Sequence, residues 1–106
     1  MISKVKFDTE KSKLNYEAVK LAALVLRSIN HGIRKDILKL LEHNKSMKVT
    51  DIFLHLKMEQ SDTSQHLAIL RKSGMVSANR KGQEIYYSLK YSRIEHVVSL
   101  VDKIVH

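Results

Sequence analysis

The sequence predicts a mainly α-helical fold with one small β-hairpin, in the order four helices, two strands and a closing helix. Three observations predict it. Apolar residues recur at helical spacing up to Gly74 and again beyond Ser92. Between those points the spacing falls to alternation, the signature of strands. The chain has no proline, and its three glycines, Gly32, Gly74 and Gly82, each stand where one pattern gives way to the next.

The first helix is carried by Leu14, Ala18, Leu21, Val25 and Ile29, spaced by three and four. Ala22, Leu24 and Leu26 widen its apolar stripe beyond one face, so it needs more than one neighbour. Ile33, Ile37, Leu40 and Leu41 give a second helix from Ile33 to about His43, broken by Asn44, Lys45 and Ser46. Thr50 and Asp51 start a short third helix whose apolar contacts are Ile52, Phe53 and Leu56. Glu59 to Asp62 reads as the turn after it, overlapping a fourth helix from about Ser61 to Ser73. There Thr63, Leu67 and Leu70 line one side, and Gly74 provides a left-handed cap. Val76–Arg80 and Glu84–Leu89 are the strands, with Lys81-Gly82 at the hairpin tip. Helical spacing returns from about Ser92 to Val105 through Ile94, Val97, Val98, Val101, Ile104 and Val105.

The chain of 106 residues is expected to form one domain, with about residues 1–9 disordered. The longest apolar run, Leu21 to Leu26, is six residues, too short to span a membrane or to serve as the apolar region of a secretion signal. A cytoplasmic location is therefore expected. The absence of cysteine excludes disulfides, thiolate metal sites and thiol nucleophiles. No glycine-rich phosphate loop or metalloprotease motif is present, so no enzymatic activity is expected. Nineteen Lys and Arg against eleven Asp and Glu give a formal charge of +8, which suits a polyanionic partner without choosing DNA over RNA.

A short helix, a tight polar turn, a glycine-capped helix and a basic-tipped hairpin form the layout of a winged helix-turn-helix. In that layout the helix after the turn presents its first side chains to base edges in the major groove of double-stranded DNA. Those side chains are Gln60, Ser61, Thr63, Ser64, Gln65 and His66. Gln65 offers an amide donor and acceptor suited to adenine, while Ser61 and Ser64 suit phosphates or any base. Arg71 and Lys72 suit phosphates, and Arg80, Lys81 and Gln83 form the wing tip, facing the minor groove or backbone. His66 reads equally as a structural residue bonded to backbone near the turn, and Tyr86 and Tyr87 read as packing residues ahead of base-stacking ones.

The stretch Ser61-Asp62-Thr63-Ser64-Gln65-His66-Leu67-Ala68-Ile69-Leu70-Arg71-Lys72-Ser73-Gly74-Met75-Val76 resembles the recognition-helix signature of the ArsR/SmtB winged-helix repressors. Ile85-Tyr86-Tyr87-Ser88-Leu89 is similar to that family's second wing strand. Arg34 with Ile37-Leu38-Lys39-Leu40-Leu41 resembles its Arg-x-x-Ile-Leu helix. The three blocks occur in the family's order. The resemblance implies a homodimer joined by the first and last helices that represses an operator until an effector releases it. The apolar excess on the terminal helices agrees, with Leu14, Leu21, Val25, Ile94, Val97, Val98, Val101, Ile104 and Val105 as candidate interface residues. Two-fold pairing would set two recognition helices one DNA turn apart and predicts an imperfect palindrome as operator.

The family's metal sites have no counterpart. Lys48 and Thr50 stand where metal-sensing members carry a Cys-x-Cys pair, and Tyr91, Arg93 and Ile104 occupy positions of the alternative Asp-x-His and His-x-x-His ligands. Glu95, His96, Asp102 and His106 remain on the last helix, but only Asp102 and His106 have the spacing that shares a face, so no metal or other cofactor is expected. The effector is not legible. The competing function is a winged helix serving as a protein-interaction or assembly module, since a fold does not fix a function. The polar recognition helix and basic wing favour DNA.

Overall fold

Five helices and a three-stranded antiparallel sheet make up the computed structural model, which describes the backbone of residues 9–105 and the side chains of 16–103. The elements are α1 (Thr9–Ile29), α2 (Gly32–Asn44), β1 (Ser46–Lys48), α3 (Val49–Leu56), α4 (Gln60–Lys72), β2 (Val76–Lys81), β3 (Glu84–Leu89) and α5 (Tyr91–Val105). The order is that of a winged helix-turn-helix. Thr9 opens α1, and the expected disorder over the residues before it lies outside the described residues. The side chains of Leu14, Ile104 and Val105 lie outside them too.

The core forms where the apolar spacings converge. Ile37 and Leu41 of α2, Ile52 of α3, and Leu67 and Leu70 of α4 have no exposed surface. Val25, Met75, Val76 and Val97 close over them from α1, the start of the wing and α5. Complete burial of each such aliphatic side chain stabilises the fold by roughly 1.5–3 kcal/mol relative to exposure. The buried hydroxyls of Ser28 and Ser73 donate to the carbonyls of Val25 and Leu70, at 2.7 and 2.9 Å, so their burial leaves no unmet bond.

Two local features ahead of the wing depart from the sequence expectation. The first is β1, where Lys45 at φ 66° reverses the chain after α2 and Ser46–Lys48 pairs along β3, placing Met47 opposite Tyr87. The sheet order is β1-β3-β2, so β3 is central rather than an edge of an isolated hairpin. The second is the turn between α3 and α4, which is Lys57-Met58-Glu59; α4 has already begun at Gln60. Lys57 adopts the left-handed conformation (φ 56°, ψ 47°), its N–H bonding Leu54 O and that of Met58 bonding Phe53 O. At the end of α4, Gly74 at φ 82° gives the same paired closure, from Gly74 N–H to Arg71 O and from Met75 N–H to Leu70 O.

Candidate nucleic-acid interface

Helix α4 divides its residues by face. Thr63, Leu67 and Leu70, at i, i+4 and i+7, are buried; Ser61, Gln65 and Ala68 are exposed on the opposite side, Ser64 on its flank, and Gln60 and Asp62 in the first turn. Over its first two turns the exposed stripe therefore carries amides and small hydroxyls with the Asp62 carboxylate beside them, and Arg71 and Lys72 are exposed in its last turn. Thr63 does not join the stripe, contrary to the sequence expectation. It is fully buried, and its hydroxyl donates to Glu59 O at 3.0 Å. The helical period that puts Leu67 in the core puts Thr63 there with it.

His66 sits at the edge of this stripe, half-buried, and its partners lie on α2. The Arg34 guanidinium stands 3.2 Å from its Nδ1, and because arginine can only donate, Nδ1 is the acceptor and the ring proton is on Nε2. Arg34 also donates from Nε to Ser28 O near the end of α1, so one side chain ties α1, α2 and α4 together. The His31 ring lies 4.8 Å from that of His66, tilted by 48°, while its own Nδ1 accepts from Ile33 N–H as the cap of α2. Burial, then unfavourable electrostatics with the neighbouring His31 and Arg34 side chains, push the His66 pKa down, with Asp62 opposing them. His66 is thus kept neutral with an Nε2–H donor. Its Nδ1 is engaged structurally, but by the Arg34 side chain on α2 and not by the backbone near the turn that the structural reading expects. Neither Arg34 nor His31 was anticipated in this role, and the signal for Arg34 was its place in the Arg-x-x-Ile-Leu block.

The wing alternates as a strand must. Val76, Ala78 and Arg80 of β2 stand opposite Leu89, Tyr87 and Ile85 of β3, on the face turned to the core. Ser77, Asn79 and Lys81 stand opposite Ser88, Tyr86 and Glu84 on the outer face, joined by Ser46 and Lys48 of β1. The two-residue turn is Gly82 and Gln83, one residue later than the expected Lys81-Gly82 tip because Lys81 still pairs with Glu84, and positive φ at Gly82 alone is the pattern of a type II′ hairpin. Arg80, Lys81 and Gln83 are all exposed. Because the strand period is two, Arg80 and Lys81 leave the wing on opposite faces. Tyr87 packs on the core, as expected of a packing residue, whereas Tyr86 lies on the outer face with Lys81 Nζ 5.1 Å from its ring centre.

The candidate interface residues on the terminal helices separate into two sets. Val25 and Val97 are only 3% and 8% exposed and pack within the chain, and Leu21, Ile94 and Val101 are half-buried against the same core. Val25 and Val97 have little surface left for a partner, because a helix in a small domain spends its best-centred apolar positions on its own core, while Leu21, Ile94 and Val101 keep part of theirs. Val98 remains 58% exposed, and Leu26, one of the residues expected to widen the α1 stripe, 57%; the sequence reading did not single out Tyr16, Val19 and Tyr91 as contact residues, and they are exposed at 62%, 49% and 54%. Among the described residues no group of three or more histidine or acidic side chains is placed to hold a metal; His106 lies outside them. No described helix is long and apolar enough to cross a membrane.

Comparison with known proteins meets this geometry at the same elements. Residues 31–78, from the cap of α2 into β2, match the family model described as bacterial regulatory protein, arsR family. The chain is 35% identical over 92 residues to the transcriptional repressor PagR of Bacillus anthracis, covering 87% of this chain and 92% of that one. It is 35% identical over 75 residues to the transcriptional repressor SdpR of Bacillus subtilis, covering 71% of this chain and 82% of that one. The crystal structure of PagR superposes with a TM-score of 0.69 over 81% of this chain and 98% of that one. That of HlyU from Vibrio cholerae gives 0.67 at 27% identity over 81% and 92%. The matched region holds the helix-turn-helix and the strand that leads into the wing, and the chain belongs to the ArsR family of DNA-binding transcriptional regulators.

Proposed function

We propose that this regulator is a homodimeric repressor that binds an imperfect palindrome in promoter DNA and carries out no catalysis. The observation that carries the reading is the exposed stripe of Gln60, Ser61, Ser64 and Gln65 on α4, beside an exposed wing tip of Arg80, Lys81 and Gln83. Amides and hydroxyls on a rigid helix discriminate base edges, and wing cations add sequence-independent affinity for phosphates. His66 contributes an Nε2–H donor at the edge of the stripe, and Arg71 meets the backbone. The names of PagR and SdpR as repressors support the sign of regulation.

The dimer is supported by the apolar surface left on α1 and α5, where Tyr16, Val19, Leu26, Tyr91 and Val98 expose about half or more of their area. Large apolar side chains left in water on two adjacent helices mark a contact surface. The lack of a spanning helix among the described residues and the DNA target favour the cytoplasm. The whole chain is read as one domain, and the reading requires neither metal nor cofactor.

Selection of the purified protein against random duplex DNA, followed by affinity measurement across a salt series, tests this function. A two-fold symmetric enriched site with a large preference over random duplex is the expected result. Salt-sensitive binding without a motif contradicts a specific regulator, and no binding leaves the protein-interaction module as the better reading.

A further inference from the structure

We propose that Tyr86 is a positioning residue of the wing, holding the Lys81 ammonium against its ring so that the amine is presented to a DNA phosphate. The inference rests on the DNA-binding reading above and adds a residue to it.

Register brings the two side chains together. Asn79 is paired with Tyr86 and Lys81 with Glu84, so Lys81 is the diagonal neighbour of Tyr86 on the outer face. Its Nζ lies 5.1 Å from the ring centre, inside the distance over which an aromatic face attracts a cation. The ring belongs to the central strand of the sheet, is half-buried, and has Lys48 paired to it from β1 and Asn79 from β2. The lysine, by contrast, is a flexible four-carbon stem at an exposed tip. A fixed platform beneath a mobile cation reduces the freedom lost when the cation is immobilised on a ligand.

The chemistry of the partner matters as much as its place. A carboxylate holding Lys81 would cancel the charge that a phosphate sees. Glu84 is paired across from Lys81 on the same face, but the structure gives no ion pair between them, whereas the tyrosine ring orients the ammonium without neutralising it. Arg80 cannot substitute, because the strand period sends it to the other face. Lys81 is therefore the cation at the tip of the outer face, and Tyr86 is what keeps it there.

The test uses the full chain and two duplexes, the enriched site and a random sequence, with Tyr86→Leu, Tyr86→Phe, Lys81→Gln and the double variant Tyr86→Leu/Lys81→Gln. Tyr86→Leu is expected to weaken binding to both duplexes about two- to fivefold, the exposed cation–π range. Tyr86→Phe, which keeps the ring, should match wild type, and Tyr86→Leu should add nothing once Lys81 is Gln. In the free protein, the Lys81 ε-methylene protons should be shifted upfield by the ring in wild type and Tyr86→Phe. That shift should vanish in Tyr86→Leu, and the wild-type measurement stands even if the leucine variant does not fold. Unchanged affinity of a folded Tyr86→Leu, an effect that persists beside Lys81→Gln, or a wild-type lysine without the ring shift would each overturn the proposal. If the ring shift is present but the wild type binds neither duplex, the DNA-binding reading fails and the positioning role falls with it. Binding by wild type with no sensitivity to Tyr86 sinks the positioning role alone.

Discussion

Thr63 and Gln65 stand two residues apart on α4 and face opposite ways, one into the core with its hydroxyl bonded to Glu59 O and the other into solvent. Their substitutions should separate cleanly. Thr63→Val removes a hydroxyl that DNA never meets and should leave operator affinity unchanged. Gln65→Ala should cost about 1–3 kcal/mol on the specific site and nearly nothing on random duplex. Equal losses on both duplexes would show that Gln65 does not read bases. His66 supports a pH prediction at the same scale. Its folded pKa is lowered, so as pH falls through the ordinary histidine range the unfolded chain takes up the proton first. Its contribution is therefore complete above that range and is lost below it, down to the folded value. Melting midpoints between pH 8 and 5 should fall more for wild type than for His66→Gln. Parallel curves would show that burial and the neighbouring Arg34 and His31 side chains do not act on this ring.

At the scale of elements, the turns decide where the chemistry points. Gly74 ends α4 in the left-handed region, and a Cβ there would also meet the Arg93 guanidinium from α5. Gly74→Ala should destabilise the protein by about 1–2 kcal/mol, the cost of a left-handed non-glycine residue, read as a lowered melting temperature. An unchanged midpoint would mean that the cap relaxes freely. Helix lengths and strand alternation were legible because both follow from the spacing of apolar residues. The turn at Lys57-Met58-Glu59 was misplaced toward Gln60 and Ser61 because a lysine in the left-handed region leaves no mark in sequence. β1 was missed for a similar reason. Three residues are too few to show alternation, and this strand exists because β3 offers a free edge.

For the whole molecule, the long axis of 54 Å against 24 and 20 Å for the others describes an elongated chain, with apolar surface open on the helices that begin and end it. A stable protein–protein contact buries roughly 800 Å² on each side, within reach of two helices. Placing a charge at Val98, which is 58% exposed and outside the core of the chain, should therefore split the proposed dimer without unfolding the chain. Sedimentation of Val98→Asp should give a folded monomer with weakened operator affinity, since two half-sites about one turn apart are then bound one at a time. A Val98→Asp protein that sediments as wild type would move the interface elsewhere.

The sequence by itself determined the helices, the wing, the glycine cap and the block of polar residues on α4, because each is written in local spacing or in a residue type that a single position demands. Tertiary structure alone decided which of those residues remain free to act. It withdrew Thr63 into the core with Leu67, spent Val25 and Val97 inside the chain, and sent Arg80 and Lys81 to opposite faces. It also joined His66 to Arg34 and His31, more than thirty residues away in sequence, and set Lys81 over Tyr86. Local spacing records which residues share a face. Whether that face is covered, and by what, depends on elements distant in the chain, and only packing brings them together.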